Sequence, residues 1–91
     1  MVIVTLQQII DERISFLREQ INPDNKPEIN GTFQIQIDAI RHAANDLEQV
    51  EAIINQKKAL LKKSTDVHQS EKLFCELDGL EWLQLQITKY T

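Results

Sequence analysis

Histidine and carboxylate side chains follow one another at helical spacing in the middle of the sequence. Asp38, His42 and Asp46 are four residues apart, so a helix would place all three on one face. An imidazole and carboxylates one turn apart can share a divalent metal ion. The sequence lacks the paired Glu-x-x-His motifs that build a helical two-metal site, and we interpret this face as a solvated polar surface.

A second group of potential metal ligands lies in the last third of the chain. His68, Glu71 and Cys75 would share one side of a helix, and their side-chain types are all zinc ligands. Polar residues are common at a helix start, however, and Cys75 beside Phe74 is typical of a small core residue. The sequence also contains no glycine-rich phosphate loop, Ser-His-Asp arrangement or Cys-x-x-Cys pair. We therefore predict no catalytic residue, no metal site and no cofactor.

Two further pairs of residues have the spacing of a magnesium site. Glu48 and Glu51 are three residues apart, as are Cys75 and Asp78, and carboxylates one turn apart converge on hard cations. The arrangement resembles that of all-α nucleotide pyrophosphohydrolases of the MazG type, which bind magnesium through a Glu-x-x-Glu and a Glu-x-x-Asp pair. Cys75 stands where that pattern has a glutamate. The resemblance implies an alternative function, a small metal-dependent all-α enzyme or nucleotide binder using carboxylates of helices two and three.

Length and composition restrict the class of protein that can carry these side chains. The chain has 91 residues, 42% of them hydrophobic and 26% charged, which fits one globular domain spanning residues 1–91 and excludes intrinsic disorder. Glycine and proline are too few for the frequent turns of an all-β domain. No apolar run approaches the roughly 20 residues of a membrane-spanning helix. The composition predicts an all-α protein.

The charge of the chain argues against nucleic acid and membrane surfaces as partners. The net charge is −4, and the only basic cluster is that of Lys57, Lys58, Lys62 and Lys63. Lysines in the last turns of a helix stabilise its dipole, so this cluster needs no phosphate ligand. A single cysteine cannot form an internal disulfide, and the first residues lack the basic region of a signal peptide. We expect a cytoplasmic protein.

Capping residues and a turn-rich segment define the first helix. Thr5 and Gln8 have the spacing of a capping box, and Val4 with Ile9 that of a hydrophobic staple. Leu6, Ile10, Ile14, Leu17 and Ile21 then share one face, and Asn22-Pro23 ends the helix. Residues 22–31 are dense in turn formers and predict a ten-residue loop.

The remaining apolar pattern predicts two long helices. The three-and-four spacing runs from about residue 32 to 63 and again from about 66 to 90. Two short segments, 33–37 and 83–87, alternate as a strand would, but both lie inside the longer helical pattern, which we favour. Asp78-Gly79 is a hairpin-type dipeptide, so a kink or break near Gly79 is an alternative for the last helix.

These lengths predict a three-helix antiparallel bundle with one short and two long helices. The short first helix cannot cover the apolar faces of both long ones, and adjacent apolar pairs widen those faces beyond what one neighbour can bury. Trp82 lies off the main apolar face of its helix, which suits an assembly surface. The predicted interaction surface consists of Ile53, Ile54, Leu60, Leu61, Leu73, Phe74 and Trp82.

The uncovered faces predict a non-catalytic α-helical protein–protein interaction module, an adaptor or small regulator that binds through helix faces. The partner that covers such faces most simply is a second copy, and we favour a homodimer. A different protein partner is an alternative, as is a monomer whose helices bend enough to close the core.

Overall fold

The computed structural model describes residues 5–90, which are 85% helical and contain no strand. The all-α class is therefore confirmed for the described residues. The predicted count of three helices is wrong, because this part of the chain forms four α-helices and one short 3₁₀ turn (Leu47–Gln49). The α-helices are α1 (Leu6–Gln20), α2 (Pro27–Ala43), α3 (Val50–Lys63) and α4 (Val67–Tyr90).

The start of α1 has the predicted capping box. The Thr5 side chain accepts a hydrogen bond from the Gln8 backbone N–H at 3.2 Å, and Gln8 Oε1 accepts one from the Thr5 N–H at 3.0 Å. Val4, and with it the predicted staple, lies outside the described residues. Helix α1 ends at Gln20, close to the expected end at Asn22-Pro23.

The connection between α1 and α2 is shorter than predicted, because α2 already begins at Pro27. Proline suits the first helical position, where its missing N–H is not needed. Asn30 then lies inside the helix, and its side chain accepts from the Asn22 N–H at 3.2 Å and donates to the Asn22 carbonyl at 2.9 Å. The prediction of a loop over 22–31 is wrong for residues 27–31, which form the start of α2. From that position, Asn30 holds the remaining loop through its hydrogen bonds to the Asn22 backbone.

The predicted long second helix is interrupted between α2 and α3. Asn45 and Asp46 N–H groups bond three residues back, to His42 and Ala43 at 3.3 and 3.1 Å, and Asp46 leaves the helical conformation with φ −149° and ψ 86°. Side chains of Asn and Asp compete with backbone helical bonds and favour such turns. The apolar spacing continues across the break, which is why the pattern alone predicted one continuous helix.

Helix α4 is continuous through Gly79, so the alternative of a break into two shorter helices there is wrong. Gly79 is instead the point at which α2 crosses α4. A Cβ atom at this position would lie 3.2 Å from both the Gln36 carbonyl oxygen and Ile40 Cγ1. The glycine is used for close helix packing, and the helix tolerates its low propensity.

Helix α4 is the centre of the structure, with α2 and α3 packed along it and α1 packed mainly on α2. The short turn over 64–66 makes α3 antiparallel to α4. Ile29 and Thr32 lie beside Phe74, and farther along Gln36 and Ile40 meet Gly79, so α2 runs in the same direction as α4. The core consists mainly of Ile10, Leu17, Ile37, Ile40, Ala43, Val50, Ile54, Leu77, Leu80 and Leu83. No helix within residues 5–90 is both long and apolar enough to cross a membrane.

Candidate interaction surface

The structure separates the predicted interaction residues into three groups. Ile54 and Leu73 are buried by the chain itself and point into the interior. Ile53, Leu61 and Trp82 are half-buried and pack against the edge of the core. Leu60 and Phe74 are exposed, with 44% and 57% of their surfaces accessible. The last two are therefore the members of the predicted set that the described chain leaves uncovered.

Phe74 belongs to an apolar surface that the sequence prediction included only in part. Val67 lies two turns before it on the same face of α4 and is 67% exposed, and Ile29 of α2 is 45% exposed. Ile29 and Phe74 line one surface groove of about 420 Å³. We call Ile29, Val67 and Phe74 the Phe74 face. Ile29 was missed because residue 29 was assigned to a loop, and Val67 was not included in the predicted surface.

The Phe74 face has acidic residues beside it and basic residues near its end. Glu28 and Glu71 line the same groove as Phe74. Lys62 and Lys63 are exposed in the last turn of α3, just before the turn that leads to Val67. Acidic and basic groups thus occur at the same end of the molecule.

The other two lysines of the basic cluster hold α3 against α4. Lys57 Nζ lies 2.6 Å from Glu76 Oε2, and Lys58 Nζ lies 3.3 Å from Glu81 Oε1. The first pair is largely shielded from solvent, with side chains 24% and 17% exposed, whereas the second is 54% and 52% exposed. Half of the cluster is therefore used within the chain, a role that the sequence analysis did not assign to it.

A second groove, of about 230 Å³, lies where α2 and α3 diverge over α4. Its apolar floor includes Ala39 and Ala43, whose small side chains leave the space between the two helices open. Both signs of charge border it, from Asp38 and Glu76 to Lys57 and Lys72, so the groove favours neither an anion nor a cation.

Arg13 connects α1 to the second half of α4. Its guanidinium carbon lies 5.2 Å from the centre of the Trp82 ring and 5.5 Å from that of Phe16, within the range of cation–π contacts. Trp82 is therefore partly covered by the chain's own arginine. Spacing along α1 could have indicated the Arg13–Phe16 pair, but no sequence signal indicated the contact between Arg13 and Trp82.

The metal-ligand patterns do not come together as sites. Asp46 lies in the turn after α2, so the four-residue spacing that would align it with Asp38 and His42 on one helix is lost. Glu48 is in the 3₁₀ turn while Glu51 is in α3. Over the described part of the chain, no group of three or more His, Cys, Asp or Glu side chains is arranged to hold a metal ion. These residues do not fit the magnesium centre that the family resemblance implies.

Cys75 is half-buried and is the only cysteine of the sequence. Burial raises the pKa of its thiol above the ordinary value of 9.0, and the nearby carboxylates of Asp78, Glu71 and Glu76 raise the pKa further. The thiol is therefore protonated at neutral pH, which makes it a poor nucleophile and a poor metal ligand.

Comparison with protein-family models, with curated proteins and with solved structures finds no significant match to this chain.

Proposed function

We propose that this chain is a non-catalytic helical interaction module that forms a homodimer through the Phe74 face. The observation that carries the proposal is the exposure of Phe74 next to Ile29, with Val67 two turns away on the same face. Contiguous exposed apolar side chains with polar residues around them mark contact sites in soluble proteins. A dimer of this kind would serve as a cytoplasmic adaptor or small regulator.

The charges next to the Phe74 face support a second copy as the partner. A two-fold dimer brings the same surface of each protomer together, so each side must be complementary to itself. Glu28 and Glu71 border the face, and Lys62 and Lys63 lie at the same end of the chain. A two-fold axis that passes between the lysines and the glutamates would place the lysines of one protomer near the glutamates of the other and so fix the register of the two protomers.

The proposal is tested by sedimentation velocity over a dilution series, with the double variant Val67→Ser/Phe74→Ser as the test protein. We expect the wild-type chain to dimerise and the double variant to dimerise at least about tenfold more weakly, because central aromatic residues dominate interface energies. Tyr90→Ser is the matched control, since Tyr90 is 44% exposed on the same helix but lies 16 residues beyond Phe74, roughly 160° around the helix axis.

A monomeric wild-type chain at the highest concentration would contradict self-association. Equal dimerisation of the double variant and Tyr90→Ser would contradict the Phe74 face as its surface. Thermal melts of all three proteins distinguish a loss of folding from a loss of assembly.

A further inference from the structure

Among residues 5–90, none accepts a hydrogen bond from the guanidinium of Arg13, although the group is partly shielded from water. Its Nε atom is buried and has no hydrogen-bond partner. The ion pairs found within residues 5–90 join Lys57 to Glu76 and Lys58 to Glu81, and neither includes Arg13. The terminal amino groups of Arg13 are not among the buried unpartnered atoms of the described chain, so they keep some contact with solvent.

The two aromatic rings fix this cation in place. The guanidinium carbon lies 5.5 Å from the centre of the Phe16 ring and 5.2 Å from that of the Trp82 ring, and these contacts restrict the motion of the group. A planar guanidinium presents paired donors that match the two oxygens of a carboxylate. Because one side of the group is already desolvated, a carboxylate bound to it would be less screened than at an ordinary surface arginine.

We infer that Arg13, Phe16 and Trp82 form a docking site for an aspartate or glutamate side chain of a partner protein. Arginine and tryptophan are the residue types that most often dominate binding at interfaces. Neither of the two grooves described above includes these three residues. Exposed Phe16 supplies apolar contact area for residues that flank the carboxylate.

The site is separate from the Phe74 face. Trp82 lies eight residues beyond Phe74, about 12 Å along α4 and roughly 80° around its axis. A dimer formed through the Phe74 face would leave Arg13 accessible, and we therefore assign the carboxylate to a different protein and not to a second copy.

The test uses two peptides that differ only in charge, acetyl-Leu-Glu-Leu-amide and acetyl-Leu-Gln-Leu-amide. Trp82 is the only tryptophan of the chain, so its fluorescence reports on the site alone. We expect a saturable change with the glutamate peptide and at least about tenfold weaker binding of the glutamine peptide. Arg13→Lys should weaken binding of the glutamate peptide about tenfold, because lysine keeps the charge but not the paired donors.

Arg41→Lys is the matched control, because Arg41 is an exposed arginine of α2, and it should leave peptide binding unchanged. Equal binding of the two peptides overturns the inference without requiring any variant, and so does equal binding by Arg13→Lys and Arg41→Lys. If acetate bound as tightly as the glutamate peptide, the ligand would be a small carboxylate, and the inference of a protein partner would be overturned. Repeating the titration with Val67→Ser/Phe74→Ser separates this site from dimerisation, since binding must persist in that variant.

Discussion

The two halves of α4 differ in how completely their core residues are buried and in where their exposed apolar side chains lie. In the second half, residues 79–90, Leu80 and Leu83 are 1% and 0% exposed, and Leu85 is exposed farther along the helix. In the first half, residues 67–78, Leu73 and Leu77 are 4% and 6% exposed, while Val67 and Phe74 expose more than half of their surfaces. Both halves therefore contribute to the core, and the first half also carries the Phe74 face.

The difference follows from how the flanking helices meet α4. The break after α2 turns the chain back, so that α3 and α2 both pack along α4. Gly79 allows the backbone of α2 to approach most closely beside the second half. Toward the start of α4, Ile29 lies beside Phe74 in an open groove and does not cover it. Close packing at one point and an open face at the other are thus consequences of the same crossing.

Truncating a core residue of the second half should have the largest effect on stability. Leu80 is 1% exposed, so Leu80→Ala leaves a cavity and should lower the free energy of unfolding by about 2–5 kcal/mol. Phe74→Ala in the first half removes an exposed ring and should change it by less than about 0.5 kcal/mol. Urea unfolding of both variants, measured under conditions where the chain is monomeric, gives the two values.

Similar losses for Leu80→Ala and Phe74→Ala would break the comparison, because Phe74 would then be a core residue. A small loss for Leu80→Ala would mean that the second half is packed less tightly than its burial indicates.

The two glycines provide a sharper test of the close crossing. Gly79→Ala places a Cβ atom 3.2 Å from the rigid Gln36 carbonyl. The resulting repulsion should outweigh the gain in helix propensity and destabilise the fold by about 1 kcal/mol. Gly31 lies inside α2 with nothing within 4 Å of an added Cβ, so Gly31→Ala should instead stabilise by about 0.5–1 kcal/mol.

Thermal melts of the two alanine variants are compared with the unchanged chain. Opposite signs are the expected outcome. If Gly79→Ala also stabilised the fold, α2 would have to be free to move away from α4, and the crossing would not be a fixed feature.

The sequence was sufficient to predict the elements whose signals are local. The Thr5–Gln8 capping box and the helical state of the alternating segment 33–37 are both confirmed. The break at 44–46 was not predictable from periodicity, because the spacing from Ile40 to Val50 stays in phase across it. What ends α2 is the local turn at Asn45 and Asp46 together with the packing of α3 on α4, and that packing is a tertiary effect.

The candidate sites were predictable only in part. Leu60 and Phe74 were chosen from helix lengths, and the structure leaves both exposed, although the predicted length of the second helix was wrong. The contact between Arg13 and Trp82 joins residues 69 positions apart, so no spacing rule could reveal it. The role of Gly79 could not be predicted for the same reason, since the local sequence does not indicate a close approach by another helix.

The ion pairs between α3 and α4 should have the smallest effects on stability. Here the pair that reaches the first half of α4 should contribute more than the pair that reaches the second half, the reverse of the order expected for the core residues. Lys57–Glu76 reaches the first half at 2.6 Å and is largely shielded, whereas Lys58–Glu81 reaches the second at 3.3 Å and is exposed. Double-mutant cycles with Lys→Met and Glu→Gln changes should give a coupling of about 0.5–1 kcal/mol for the first pair and below about 0.3 kcal/mol for the second. Raising the salt concentration should weaken the second coupling more, because exposed charges are screened more strongly. Equal couplings would mean that shielding near Glu76 does not strengthen the first pair.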